Sequence, residues 1–439
     1  MSPRAGIAVV LVALGALLPG VKIVQMRGLV GAESARKLVH LGMGLVCLSF
    51  PWLFAGPGPV WVLAGLAVAG LGALRIVPRW RRDLGGVLHD VGRASWGEVY
   101  FPLGVAAVFT LARGDALRFV VPVALLTFAD AAGALVGQRW GRRKFATLEG
   151  TKSMEGSLAV GATGLVCVVV PLLAAGQAWR PALLTGAVIG LFALMLEAVA
   201  WRGLDNVFLP LAAYAQLSVY LAATTTALAV RLGVLLSLAA VALAWRRGQV
   251  ADDSARLGAA LALYFFWAVG GPMWLVAPLV LLASYVRLMP AIPGGAPPHN
   301  LVAVICVSSA GLVWAVAEAF APDVHWVGLF TVGIATQQAV IALVRYSQAR
   351  TRWPRVAWWA AGVAQAVAAQ GLVFWAVDRG RTVSPAGILA GVGCVAGAAA
   401  VFMACERNLQ EPDAVAARWW KQGAAATLAG AAGYFLLNQ

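Results

Sequence analysis

The sequence is short of charge. Only 12% of its 439 residues are Asp, Glu, Lys or Arg, about half the share found in an ordinary soluble domain. So few charged side chains cannot cover a water-soluble globule of this length, and that class is excluded. Acidic residues are the scarcer kind, 18 against 33 Lys and Arg. Cysteine is sparse and scattered: Cys47, Cys167, Cys306, Cys394 and Cys405 make no CxxC pair, so neither a zinc ribbon nor a disulfide framework is expected. Sustained alternation of polar and apolar residues is weak, which argues against an outer-membrane barrel.

What is abundant is apolar sequence. Hydrophobic residues make up 61% of the chain and the mean hydropathy is +0.83. A spanning helix needs roughly 20 apolar residues. Apolar stretches run from 5–26 through 38–54, 116–137, 157–178 and 301–320 to 422–437, and some of them merge. The expectation is an all-α, polytopic transmembrane bundle of about 13–16 spans. The first stretch reads as an anchor, because Pro19-Gly20 is followed by no small-residue cleavage site.

The formal charge of +15 reads as orientation rather than nucleic-acid binding, since basic residues collect in cytoplasmic loops. Placing 27–37, 75–95, 138–156, 201–206, 245–256, 287–300, 345–355 and 405–421 on one side, with Lys22, gathers 26 of the 33 Lys and Arg there. Two spans separate each of these loops from the next. The basic side is taken as cytoplasmic, and the membrane as a bacterial inner membrane. The Gly/Pro-rich stretch Pro290–Pro298 divides the chain into a motif-bearing region, 1–290, and a plain hydrophobic region, 291–439.

Four constellations carry chemistry. In Glu33-Ser-Ala-Arg36-Lys37-Leu-Val-His40 the charged residues recur at i, i+3, i+4 and i+7, so a helix starting near Glu33 shows them on one face. That face suits phosphate oxygens, or it is a basic membrane border with snorkelling side chains. In Asp130-Ala-Ala-Gly133-Ala-Leu-Val-Gly137-Gln-Arg-Trp-Gly141 an acid lies inside an apolar span, where an ionised carboxylate costs about 2.5–3.5 kcal/mol. A metal ion or a cation must offset that cost. The glycines every four residues make a bare helix face, suited to close helix packing or to the approach of a nucleotide while Asp130 holds Mg²⁺.

The third constellation is the polar loop from Arg142 to Ser157, with Lys152-Ser153-Met-Glu155-Gly156-Ser157 leading into a helix. Lys152, Ser153 and the amides of the helix start can cradle phosphate, or the segment is a basic loop with a capping serine. It is not a Walker A loop, because Thr151 stands where that pattern needs Gly. The fourth is Glu197, then Gly203-Leu-Asp205-Asn206-x-x-x-Pro210. It reads either as a helix stop and cap or as a source of metal ligands. On the topology above, all four face the cytoplasm.

Taken together these motifs, in this order and spacing, resemble the dolichol kinase, phytol kinase and polyprenol kinase family over about residues 30–285. Gly258 and Gly270-Gly271-Pro272 are looser matches. The resemblance implies an integral membrane kinase that moves the γ-phosphate of CTP, or another nucleoside triphosphate, to the hydroxyl of a long isoprenoid alcohol. It implies catalytic roles for Asp130, Lys152, Asp205 and Glu197. It implies nucleotide binding by Arg36, Lys37, His40, Gly133, Gly137, Gly141, Lys152, Ser153, Glu155, Gly156 and Ser157, and Mg²⁺ held by Asp130, Asp205 and Asn206. The implied partners are the bilayer, the alcohol and the nucleotide, without nucleic acid. A phosphatidate cytidylyltransferase, which also uses CTP, has a similar Asp-x-x-Ala-x-x-x-Gly stretch and Lys-x-x-Glu-Gly loop, but this chain has no segment like that family's later Lys-Asp, Pro-Gly-His-Gly-Gly and Asp-Arg-x-Asp run, and Gly-Leu-Asp-Asn stands where the kinase pattern has it. A lipid transporter or flippase is the reading of another class, although the polar motifs sit at one interface rather than at mid-membrane.

Overall fold

A computed structural model describes residues 2–76, 96–147, 150–199, 202–244, 251–292, 299–321, 326–350, 352–378, 385–411 and 416–437. Residues 77–95 of the basic loop 75–95 and the centre of the Pro290–Pro298 stretch lie outside the described residues. The chain folds almost wholly into helices, as the apolar stretches require. The first half contains α1 (Pro3–Met26), α2 (Ala32–Leu48), α3 (Pro57–Ile76), α4 (Gly97–Ala112) and α5 (Ala116–Trp140). A hairpin of β1 (Lys144–Thr147) and β2 (Gly150–Ser153) follows, then α6 (Met154–Ala174), α7 (Trp179–Ala198), α8 (Asp205–Tyr220) and α9 (Thr225–Ala244). The second half contains α10 (Asp253–Gly270), a 3₁₀ turn Pro272–Leu275, α11 (Val276–Arg287), α12 (Leu301–Phe320), α13 (Val327–Ala349), α14 (Arg355–Asp378), α15 (Pro385–Cys405) and α16 (Ala416–Leu437).

Among the described residues, nine helices are long and apolar enough to cross a membrane: α1, α5, α6, α7, α9, α12, α13, α14 and α15. Shorter apolar helical stretches add Pro57–Ala73, Gly97–Ala112 and Pro272–Arg287. The protein is an integral, multi-pass membrane protein.

The chain divides into two compact units, Met1–Ser237 and Leu238–Gln439, the division falling within α9. The first unit is held by aromatic packing and by glycine. Phe50 and Phe119 stack at 6.4 Å between ring centroids, and Phe109 meets Phe119 edge-on at 5.2 Å. α6 and α7 touch through Gly161, Gly164 and Gly190, where a Cβ on Gly190 would come within 2.7 Å of the Gly161 carbonyl oxygen. In a bilayer no hydrophobic drive brings helices together, so such close backbone approach is what pays. The second unit is built around α13, whose residues 333–344 are nearly all buried, with α11, α12, α14, α15 and α16 packed on it.

The segment expected as a polar loop between α5 and α6 is a two-stranded hairpin, with Phe145 opposite Lys152 and Ala146 opposite Thr151. Its base is tied by Glu155, whose carboxylate accepts from the backbone N–H groups of Arg142 at 3.1 Å and Arg143 at 3.2 Å. Ser153 then caps α6, its Oγ accepting from the Gly156 N–H at 3.1 Å.

Candidate active site

The first unit contains a cavity of about 460 Å³ at the hairpin end of α2, α5 and α6, lined also by α4, α7 and α8. Every expected site residue except Glu155 lines it. Glu155 instead ties the hairpin, as above. Glu33, Arg36, Lys37 and His40 do share one face of α2, and all four line the cavity. Arg36 is held by Glu33 through two bonds, at 2.6 and 3.0 Å.

The buried acid of α5 has its cation. The ammonium of Lys37 donates to both oxygens of Asp130, at 2.6 and 2.7 Å. The two side chains are only 6% and 16% exposed. His40 adds a second contact, its Nε2 lying 3.5 Å from Asp130 Oδ2 and 3.1 Å from the backbone carbonyl of Leu126. A carbonyl can only accept, so this nitrogen carries the proton. The Leu126 carbonyl lies in a π-helical turn, Leu125–Ala129, that runs directly into Asp130. Such turns widen a helix by one residue and frequently occur at functional sites.

A second ion pair faces the first. Lys152, on β2, donates to Glu197 Oε1 at 2.6 Å and to the Glu197 backbone carbonyl. Burial works against its charge, but the neighbouring Glu197 carboxylate outweighs that and holds the Lys152 pKa above the ordinary lysine value. The side chain of Asp205, the first residue of α8, makes no hydrogen bond or ion pair among the described residues. Oxygen atoms of Asp130, Glu197 and Asp205 all lie within 4.8 Å of one another. Three carboxylates thus face two ammonium groups. Asn206 lines the same cavity, and its Nδ2 donates to the Gly203 carbonyl at 3.1 Å. Its buried Oδ1 has no hydrogen-bond partner.

The glycine face of α5 lies against the start of α6. A Cβ on Gly133 would come within 2.4 Å of Val160 Cγ2, and one on Gly137 within 3.1 Å of Ser153 Oγ. The bare face therefore brings the capped start of α6 beside α5, while the same glycines remain exposed to the cavity.

Against characterised proteins, the chain is 30% identical over 202 residues to a phytol kinase from Synechocystis sp., an alignment covering 84% of that protein and 45% of this chain. The chain belongs to the phytol and polyprenol kinase family. No family model matches it, and no solved structure does. Family membership makes it a kinase acting on an isoprenoid alcohol, and leaves more than half of its length without a counterpart in that relative.

Sequence reasoning did not find several members of the site. Glu98, Gln138, Lys144 and Thr151 line the cavity; the last three lie within the expected constellations without having been singled out there, and nothing in the local pattern marks Glu98. Glu197 was expected as a catalytic group rather than a metal ligand, yet it sits in the carboxylate cluster. Its partner Lys152 is 45 residues away and Asp130's partner Lys37 is 93 away. No helical or strand period links positions so far apart.

Proposed function

We propose that the protein transfers the γ-phosphate of CTP, or of another nucleoside triphosphate, to the hydroxyl of an isoprenoid alcohol of the phytol, geranylgeraniol or polyprenol type. The observation that carries this reading is the trio of Asp130, Glu197 and Asp205 within 4.8 Å, set against Lys37 and Lys152 in one cavity. The name of the relative, a phytol kinase, supports the acceptor class. We assign the chemistry to region 1–290 and treat 291–439 as an additional helical region.

The donor set fits Mg²⁺. Mg²⁺ is usually held by one or two carboxylates together with the phosphate oxygens of its substrate, and Asn206 Oδ1 is a buried oxygen without a partner beside the carboxylates. Asp130, Glu197, Asp205 and Asn206 would hold the ion, which when bound supplies charge neutralisation of the donor phosphates. The lysines do the rest of the electrostatic work. With their carboxylates otherwise engaged, Lys37 and Lys152 turn to the transferring phosphoryl group, and Arg36 supports them. Phosphoryl transfer depends mainly on such positioning and charge stabilisation. The alcohol oxygen forms a bond to the γ-phosphorus as the bond to the β-bridging oxygen breaks, and the nucleoside diphosphate leaves. Asp205 takes the alcohol proton. Of the two candidate bases it is the better placed, because no hydrogen bond or ion pair among the described residues ties its side chain.

The cavity's helix ends carry the basic loops, which supports a cytoplasm-facing site in a bacterial inner membrane. An embedded catalyst suits such an acceptor, since drawing its tail into water costs about 0.8 kcal/mol per CH₂. The test is a matrix of donors and alcohols on purified protein, with Mg²⁺ or with chelator, using CTP labelled at either the γ- or the α-phosphate. The γ-label is expected in the lipid product, and only with the divalent ion. Lipid carrying the α-label would make the protein a cytidylyltransferase, and no labelled lipid with any alcohol would defeat the kinase reading.

A further inference from the structure

The cavity changes character with depth and from side to side. Helices α4, α7 and α8 contribute only charged, amide or glycine residues to its lining. The four apolar side chains, Val39, Met43, Ala134 and Val160, all come from α2, α5 and α6. Along α2 the lining passes from Glu33 through Lys37 and His40 to Met43. At 1.5 Å per residue this places Met43 about 15 Å further along the helix than Glu33. Along α6 it passes from Ser153 and Gly156 to Val160, about 10 Å beyond the cap. Both helices pack on α5. On α2 and α6 the charged end is the one at the hairpin and the apolar end the one deeper in the spans, whereas on α5 Ala134 lies one turn nearer the hairpin than Asp130.

The same three helices show apolar side chains outward beside these positions. Leu38, next to Val39, is 38% exposed; Leu135, next to Ala134, is 45% exposed; Leu158, two residues before Val160, is 59% exposed. In a membrane protein such leucines face acyl chains. The cavity is therefore polar where it meets the loops and apolar on the side formed by α2, α5 and α6, where exposed leucines adjoin its apolar lining.

We infer that the acceptor's prenyl tail reaches the site between α2 and α6, across Ala134, and that Val39, Met43 and Val160 grip its first isoprene unit while the hydroxyl points at the carboxylate cluster. The inference rests on the kinase reading and adds to it the residues that select the acceptor. A nucleotide gains little from this wall, because its phosphates are drawn to the lysines at the other end. An isoprene unit has no polar atom to satisfy and needs only apolar contact.

The test uses the full-length protein in lipid nanodiscs. Val160→Phe, Met43→Trp and Ala134→Leu each narrow the wall without touching a charge. Each is expected to raise KM for the alcohol at least tenfold and to leave KM for the nucleotide within twofold. A rise in the nucleotide KM with the alcohol KM unchanged would give the wall to the base and overturn the inference. So would no change in either. Because an overpacked variant can fail to fold, the wild-type protein is also labelled with a prenol bearing a diazirine on its first isoprene unit. Cross-links are expected in peptides holding Met43 and Val160, and cross-links confined to other helices would defeat the assignment. The label needs binding but no turnover. A wild type that phosphorylates no alcohol would thus fail the kinase reading, and the wall would still be judged by where the label lands.

Discussion

The two compact units bury polar groups in different ways. The first also buries neutral Thr127, Thr185 and Gln216, but its ionic groups converge on one site: Lys37 with Asp130, Lys152 with Glu197, and Asp205 close to both acids. In the second, the buried polar side chains in mid-helix are neutral. Thr336, Gln337, Gln338 and Gln370 are all 2% exposed or less. Gln370 donates to Gln338 Oε1 at 2.7 Å and to the Ala277 carbonyl at 2.9 Å, and Gln337 donates to the Cys306 carbonyl at 2.8 Å. Ions are dear in lipid and amides are cheap. Amide bonds between spans are a common means of helix association. Ionic groups so costly to bury are kept where charge has work to do.

That contrast can be broken experimentally. The largest expected effect is on chemistry in the first unit. Asp130→Asn keeps the side chain's size and removes its charge, and should cut phosphoryl transfer by about 10²–10³-fold or more while the protein still inserts and purifies. Near-normal turnover would remove Asp130 from the site.

Next is stability. Lys37→Met leaves the Asp130 carboxylate buried without its cation, a loss of about 3–5 kcal/mol. Adding Asp130→Leu removes the stranded charge and should restore most of that stability but none of the activity. Unfolding in mild detergent reads the first quantity and transfer assays the second. A double variant as unstable as the single one would mean that Lys37 packs rather than pairs.

A smaller effect concerns Lys152. Its pKa is raised in the folded protein, so its charged form is the stabilised one. Its contribution to stability is complete below the ordinary lysine value of about 10.4 and is lost as pH rises through the folded value. At pH 9 the Lys152 amine should therefore resist acylation, and Glu197→Gln should make it reactive, as read by mass spectrometry of the β2 peptide. Equal labelling in both proteins would separate Lys152 from Glu197.

The smallest change is expected in the second unit. Gln370→Leu should cost about 0.6 kcal/mol, the average for hydrogen bonds between membrane helices, and leave transfer within twofold. A collapse of activity would join the amide cluster of the second unit to the chemistry of the first.

The membrane class and most helix positions were legible in composition and run length. So was the shared face of Glu33, Arg36, Lys37 and His40, because helical periodicity is local. The hairpin was not. Its strands are four residues each, and its base is closed by the Glu155 carboxylate reaching back 13 residues to the Arg142 N–H. The glycine spacing of α5 was visible, but not that Gly137 lies beside Ser153 at the capped start of α6.

The sequence alone determined that this chain lives in a bilayer as a helical bundle, since the cost of exposing so many apolar residues to water depends on their number and order. It also determined which acids and cations were available near one interface. Only the tertiary structure decided how they combine: that Lys37 takes Asp130, that Lys152 takes Glu197, and that Asp205 is left close to both acids. Electrostatic pairing depends on distance in space, and helices joined by long connections acquire their distances only when they pack.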